Sequence, residues 1–153
     1  ALARLSLGET QLDARRIAGE PLSLVVRRGH PLVVLPNITL DDLLRYEWVM
    51  GDDETLLTQT VMARLADLHA PAPLRRISTS SFLFTLALLN QTDAIAPLAT
   101  PVATSFSGNP SVPFVSLPHD LGMTVAPFSL VTRVGARLTP SAQRLADAIL
   151  AMA

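Results

Sequence analysis

The chain of 153 residues reads as an α/β protein, and three observations carry that reading. Residues 20–28, EPLSLVVRR, are rich in β-branched and apolar side chains and stop at Gly29-His30-Pro31, a turn-forming group that punctuates a strand. Residues 54–68 repeat their apolar positions at Leu57, Val61, Met62, Leu65 and Leu68, one face of an amphipathic helix. Thr139 followed by Pro140 opens a last helix, whose stripe is Ala142, Leu145, Ala146, Ile149, Leu150 and Ala153. Strands alternating with helices in this way predict a mostly parallel sheet covered by helices on both faces.

The remaining elements follow in order. Residues 1–7 alternate like a strand. Thr39 before LDDLLRY, with Asp42 three residues on, predicts a short capped helix, because hydroxyl and carboxylate can satisfy the free N–H groups of a first turn. Residues 47–50 return to strand character, and Asp52, Asp53 and Glu54 suit the positive end of the next helix dipole. Ala70-Pro71-Ala72-Pro73 stops that helix. Residues 74–79 read as a strand, and Ser80-Ser81 opens the helix FLFTLALLN, whose apolarity all round predicts burial. Residues 93–96 predict a short buried strand, with Pro97 and Pro101 opening a helix over about 98–105. Residues 107–110 read as a loop. Residues 112–117 and 123–134 then give two strands about the polar turn Pro118-His119-Asp120-Leu121-Gly122.

Composition narrows the function. The basic residues are twelve arginines scattered along a chain of net charge −1, so no basic stripe is available to neutralise phosphates, and this segment is not expected to bind nucleic acid itself. The absence of cysteine excludes disulfides, thiolate metal sites and thiol catalysis. No apolar run reaches the roughly 20 residues that span a bilayer, and residues 1–20 lack the design of a signal peptide. The chain begins with Ala1 in the middle of a strand-like run, so the natural polypeptide is expected to start further upstream.

In open α/β sheets ligands gather beyond the carboxyl ends of strands, where helix N-termini offer free N–H groups. Three strand-to-helix loops qualify here: residues 50–53 with Met50, Gly51 and Asp52; residues 78–81 with Ser78, Thr79, Ser80 and Ser81; and residues 96–100 with Pro97 and Thr100. These are the candidate ligand-binding residues, although Ser80 or Ser81 could equally serve only as a helix cap. Asp52 and Asp53 would favour a sugar or a cation over an anion. Trp48 reads as core, His30 as a turn or hinge residue, and Arg75 and Arg76 as a solvated strand face. His30, His69 and His119 lack ligand-like spacing, and no nucleophile elbow, phosphate loop or cofactor motif is visible, so neither metal, cofactor nor catalysis is expected.

Three stretches go beyond a generic α/β pattern. PLSLVVRRGHPLV at 21–33 with ITLDDLLRYEWVM at 38–50, ISTSSFLFTLALLNQTDAIAPLATPVA at 77–103, and PFSLVTRVGARLTPSAQRLADAIL at 127–150 together resemble the effector-binding domain of LysR-type transcriptional regulators. Asn90-Gln91-Thr92-Asp93-Ala94-Ile95 departs from the family's usual glycine-rich turn, and is similar to the branch of regulators of sugar-binding proteins and aromatic-acid catabolism. The resemblance implies a periplasmic-binding-protein-like domain of two lobes. Residues 1–27 and 128–153 would form a partial first lobe and 28–127 a complete second one, with a winged helix-turn-helix upstream. It further implies a cytoplasmic, non-enzymatic homodimer or tetramer in which helix 54–68 is a contact element. A small effector, a sugar or organic acid, would bind between the lobes and alter DNA binding through the missing domain. The alternative is a solute-binding protein of a transporter, which shares this architecture.

Overall fold

The computed structural model describes residues 2–3, 12–17, 19–107, 109, 112 and 114–151. Its strands are β1 (Leu2–Ala3), β2 (Leu12–Arg16), β3 (Glu20–Arg27), β4 (Trp48–Met50), β5 (Arg76–Ser78), β6 (Ala96–Ala99), β7 (Phe114–Ser116), β8 (Thr124–Val125) and β9 (Ser129–Arg133). The helices are α1 (Leu40–Leu44), α2 (Leu56–Asp67), α3 (Phe82–Gln91), α4 (Thr100–Ser107) and α5 (Pro140–Ala151), with a 3-10 turn at Pro31–Val34. The chain divides into two compact units, residues 1–20 with 126–153, and residues 21–125. The sequence places that boundary after residue 27, whereas residues 21–27 of β3 belong to the second unit.

That placement follows from burial. Leu22 to Val26 are all buried, so β3 is covered on both faces. It pairs antiparallel with β6 (Val25 opposite Ala96) and with β7 (Val25 opposite Ser116), and β8 also pairs with it. Alternation along β3 divides the interior. Leu22, Leu24 and Val26 join Leu32, Leu43, Trp48, Met50, Val61, Leu65 and Ile95 in a large core under α1 and α2. Val25 and Val49 turn to the other face and meet Leu89, Ala94, Ala96, Ala103 and Phe114 under α3 and α4.

Parallel pairing is confined to the middle of this unit. β4 and β5 run parallel with Met50 opposite Ser78, and Trp48 bridges Ile95 in parallel sense. The pairs that β3 makes with β6 and β7 are antiparallel, so the mostly parallel sheet expected from strand-helix alternation is corrected. Direct passage from one strand to its sheet partner through a helix gives parallel pairs, but β3 enters from outside the unit and runs opposite to its neighbours.

Local capping chemistry forms the helices where the sequence predicts them. Thr39 and Asp42 make a complete capping box: Thr39 Oγ1 accepts from the Asp42 N–H at 3.2 Å, and Asp42 accepts from the Thr39 N–H at 3.1 Å. Thr55 caps α2 and Ser81 caps α3. At the end of α2 the Ala70 N–H donates to Leu65 O and the His69 N–H to Ala66 O, both at 2.9 Å. His69 sits at φ 56°, the left-handed position usually given to glycine.

Three other expectations are corrected. Helix α3 is not buried all round: Leu83 is 77% and Phe84 50% exposed, and only Thr85 and Leu89 are buried. The core beneath it is small and alanine-rich, so one stripe suffices to cover it. The strand after Asp93 runs on to Ala99 and α4 starts at Thr100, because Pro97 and Leu98 pair with Leu24 and Ser23 of β3. The single strand expected over 123–134 is two, β8 and β9, separated at Ala126, Pro127 and Phe128, where the chain passes from the second unit to the first. The strand expected over residues 1–7 lies outside the described residues beyond Leu2 and Ala3, as do Gly108 and Pro110 of the loop expected over 107–110.

In the first unit β9 lies between β1 and β2, antiparallel to both, with Arg15 opposite Leu130 and Asp13 opposite Thr132. A tight turn, in which the Ala136 N–H donates to Arg133 O at 3.0 Å and Gly135 takes φ 73°, leads toward α5. Thr139 caps that helix through the Ala142 N–H at 3.3 Å.

Candidate functional site

The second unit builds its candidate site from the carboxyl ends of β4, β5 and β6. Parallel pairing of β4 with β5, and of Trp48 with Ile95 just before β6, makes these strands end at one edge. The Thr79 N–H donates to Met50 O at 2.8 Å, tying the first two loops together directly. The Val49 N–H donates to Ile95 O, also at 2.8 Å, and fixes the third strand against the first.

Most polar groups at this edge are already committed to the fold. Thr79 Oγ1 accepts from the Ser81 N–H at 3.1 Å, and Ser81 Oγ accepts from the Phe84 N–H at 3.3 Å, so these two hydroxyls shape the loop and cap α3. Gly51 O accepts from Thr58 Oγ1 at 3.0 Å, and Asp52 O accepts from Thr55 Oγ1 at 2.9 Å, which binds the β4 loop to the first turn of α2. Asp53 pairs with Arg76 at 2.8 Å and adds a link between the two loops. Thr100 shares a hydrogen bond with Ser23 Oγ at 2.9 Å. Ser78 and Ser80 are exposed and donate no side-chain hydrogen bond among the described residues, leaving their hydroxyls free for solvent or a ligand.

Met50 and Pro97 are buried, the Met50 carbonyl accepts from the Thr79 N–H, and Pro97 pairs opposite Leu24, so both are committed to the fold. Gly51 holds a close approach: a Cβ there would stand 2.7 Å from the Thr55 side chain. Asp52 is exposed. Ser23 was not legible as part of this edge, because a lone serine inside LSLVV looks like any strand residue. Only its pairing opposite Leu98 brings it to Thr100.

Other residues have structural places. Trp48 is fully buried and its Nε1–H donates to Leu43 O at 3.1 Å, a core role. His30 is buried. Its Nδ1 accepts from the Leu32 N–H at 3.0 Å, and its Nε2 lies 3.1 Å from Asp93 O, so the neutral ring joins the β3 turn to the loop after α3. Burial, foremost, lowers the imidazole pKa below its ordinary value. Arg27 pairs with Asp93 at 2.7 Å beside it. Arg75 donates to Arg45 O at 3.0 Å, and Arg76 is held by Asp53, so neither forms a free anion clamp. Among the described residues no cluster of three or more His, Cys, Asp or Glu could hold a metal ion, and no helix is long and apolar enough to cross a membrane.

Comparison with known proteins assigns the family. The LysR substrate binding domain model matches residues 1–153. The chain is 39% identical over 89 residues to the HTH-type transcriptional regulator GbpR of Rhizobium radiobacter, covering 58% of this chain and 30% of that protein. It is 29% identical over 140 residues to GbpR of Azospirillum brasilense, covering 91% of this chain and 40% of that one. The chain thus spans well under half the length of these relatives. The regulatory domain of CcmR from Synechocystis PCC6803, solved in complex with 2-PG, shares the fold at a TM-score of 0.75 and 17% identity, over 99% of this chain and 71% of that one. On the match along its whole length, the chain belongs to the LysR substrate-binding domain family.

Proposed function

We propose that this chain is the effector-sensing part of a LysR-type transcriptional regulator, and that a small metabolite binds at the common edge of β4, β5 and β6. The observation that carries the reading is the contrast at that edge. Thr79, Ser81 and Thr100 have their hydroxyls engaged within the protein, while Ser78 and Ser80 beside them do not. Such an edge is rigid in its frame and open in two polar groups, the combination a recognition site needs.

The effector would shift the intact regulator between two states by binding one more tightly, and a few kcal/mol of difference is enough. DNA contact would belong to a helix-turn-helix outside this chain, in a cytoplasmic homodimer or tetramer. Catalysis is not part of the reading: the hydroxyls at this edge have neither a histidine nor a carboxylate hydrogen-bonded to them. Both relatives above are transcriptional regulators, which favours sensing over solute delivery to a transporter. A hydroxyl-lined edge beside Asp52 suits a sugar better than a small organic acid, whose carboxylate Asp52 would repel.

The test is a thermal-shift screen of the whole effector domain against sugars and small organic acids. A saturable rise for one class supports the reading, since a ligand that binds only the native state stabilises it by mass action. Ser80→Ala should weaken that response without lowering the unliganded melting temperature. A hit whose affinity is unchanged by Ser78→Ala and Ser80→Ala together would place recognition elsewhere.

A further inference from the structure

The first unit contains a polar cavity of about 420 Å³ that the effector reading does not use. Its floor is one face of the β2–β9 pair. Asp13 and Arg15 lie two apart on β2 and stand opposite Thr132 and Leu130, so all four side chains project to the same side of the sheet. Its wall is α5, through Gln143 and Ala146, and its rim is the turn after β9, which brings Arg137 to the same space, while Arg133 stands opposite Leu12 and projects from the other face of the sheet.

The charge of this lining is unbalanced. Arg15 and Arg137 stand against a single carboxylate, Asp13, and neither has an ion-pair partner among the described residues. Elsewhere Arg27, Arg45 and Arg76 pair with Asp93, Asp42 and Asp53, and Arg28, Arg64 and Arg75 donate to backbone carbonyls. Guanidinium forks such as those of Arg15 and Arg137 present the donor geometry that matches carboxylate and phosphate oxygens two at a time. The volume falls in the ordinary range for a small-molecule site, about 300–1,000 Å³. Asp13 can only accept hydrogen bonds when ionised, so it calls for a hydroxyl on the ligand as well.

We propose that the first unit carries its own binding site for a small hydroxylated polyanion, held by Arg15 and Arg137 with Asp13 reading its hydroxyl. The site consists of first-unit residues only, so it stands or falls independently of the β4–β5–β6 edge. Two sources share this chemistry, hydroxylated polycarboxylates and phosphorylated sugars, and they are separable by probe.

The experiment is isothermal titration of the full chain with citrate and with glucose 6-phosphate, at an ionic strength held constant with sodium chloride. Saturable binding of either probe is expected, weakened at least tenfold by the double variant Arg15→Gln with Arg137→Gln. Arg144→Gln, on α5 but outside the cavity lining, should leave it unchanged, and far-UV circular dichroism checks that each variant is folded. Citrate alone binding assigns a polycarboxylate, and glucose 6-phosphate alone assigns a phosphate ester. Tricarballylate, which is citrate without its hydroxyl, should bind more weakly than citrate to the parent chain, whereas Asp13→Ala should bind the two equally well. Absence of saturable binding by both probes, or binding that the double variant and Arg144→Gln alter alike, overturns the proposal.

Discussion

Helices α2 and α3 occupy equivalent places, each following a strand of the same parallel pair, yet they relate to the core in opposite ways. α2 buries Thr58, Val61 and Leu65 and turns Gln59, Ala63 and Asp67 to solvent. α3 contains no charged residue, yet it leaves Phe82, Leu83 and Phe84 exposed in its first turn. The difference teaches that amphipathic periodicity states which face is buried, whereas uniform apolarity states nothing about direction. The extent of burial was set by the partner. α2 meets a core with Trp48, Met50, Leu43 and Met123, while α3 meets one built on Ala94, Ala96 and Ala103.

The comparison can be broken most forcefully at its two extremes. Leu65→Ala in α2 removes a fully buried side chain and should cost about 2–5 kcal/mol in urea unfolding. Leu83→Ala in α3 should cost less than about 0.5 kcal/mol, as substitutions at exposed positions do. Similar losses at both positions would mean that the outer face of α3 is covered in solution.

The exits of the two helices differ as well. The segment after α3 is pinned at Asp93 by His30 and Arg27. Folding lowers the His30 pKa, so the folded state binds its proton less readily than the unfolded chain does. The stability His30 contributes is therefore complete above its ordinary value of about 6.5 and declines as pH falls through that value toward the lowered one. Protonation also removes the Nδ1 acceptor from the Leu32 N–H. Amide exchange at pH 5 against pH 7.5, corrected for intrinsic rates, should lose protection around residues 30–32 and 93–95 before it does so in α2. Uniform loss along the second unit would contradict a local latch.

Smaller effects sharpen the ends. Thr55→Ala and Ser81→Ala each delete a cap and should cost about 1 kcal/mol. His69→Gly relieves a side chain from the left-handed region and should stabilise α2 by roughly 0.5–1 kcal/mol. Thermal melts would register all three.

Features encoded within a few residues were readable from the sequence. The Thr39–Asp42 capping box, the Ser81 cap, the proline stop after α2 and the Thr139 cap depend on groups three or four positions apart. The family was readable too, because its motifs fall in order along the chain. Features set by pairing across long separations were not. The start of α4 moved to Thr100 because Leu98 pairs with Ser23, 75 positions away, and the antiparallel role of β3 depends on where the chain enters the unit. The same divide runs through the candidate site. The loops could be named from strand-to-helix order, but which hydroxyls are free, Ser78 and Ser80 rather than Thr79, Ser81 or Thr100, follows only from the hydrogen bonds.

The central claim is that an effector is recognised at the β4–β5–β6 edge, and hydrogen exchange with and without a bound effector tests it most directly. The account predicts that added protection concentrates in residues 50–53, 78–81 and 96–100. Protection that leaves these three loops unchanged while the ligand is saturating would contradict it.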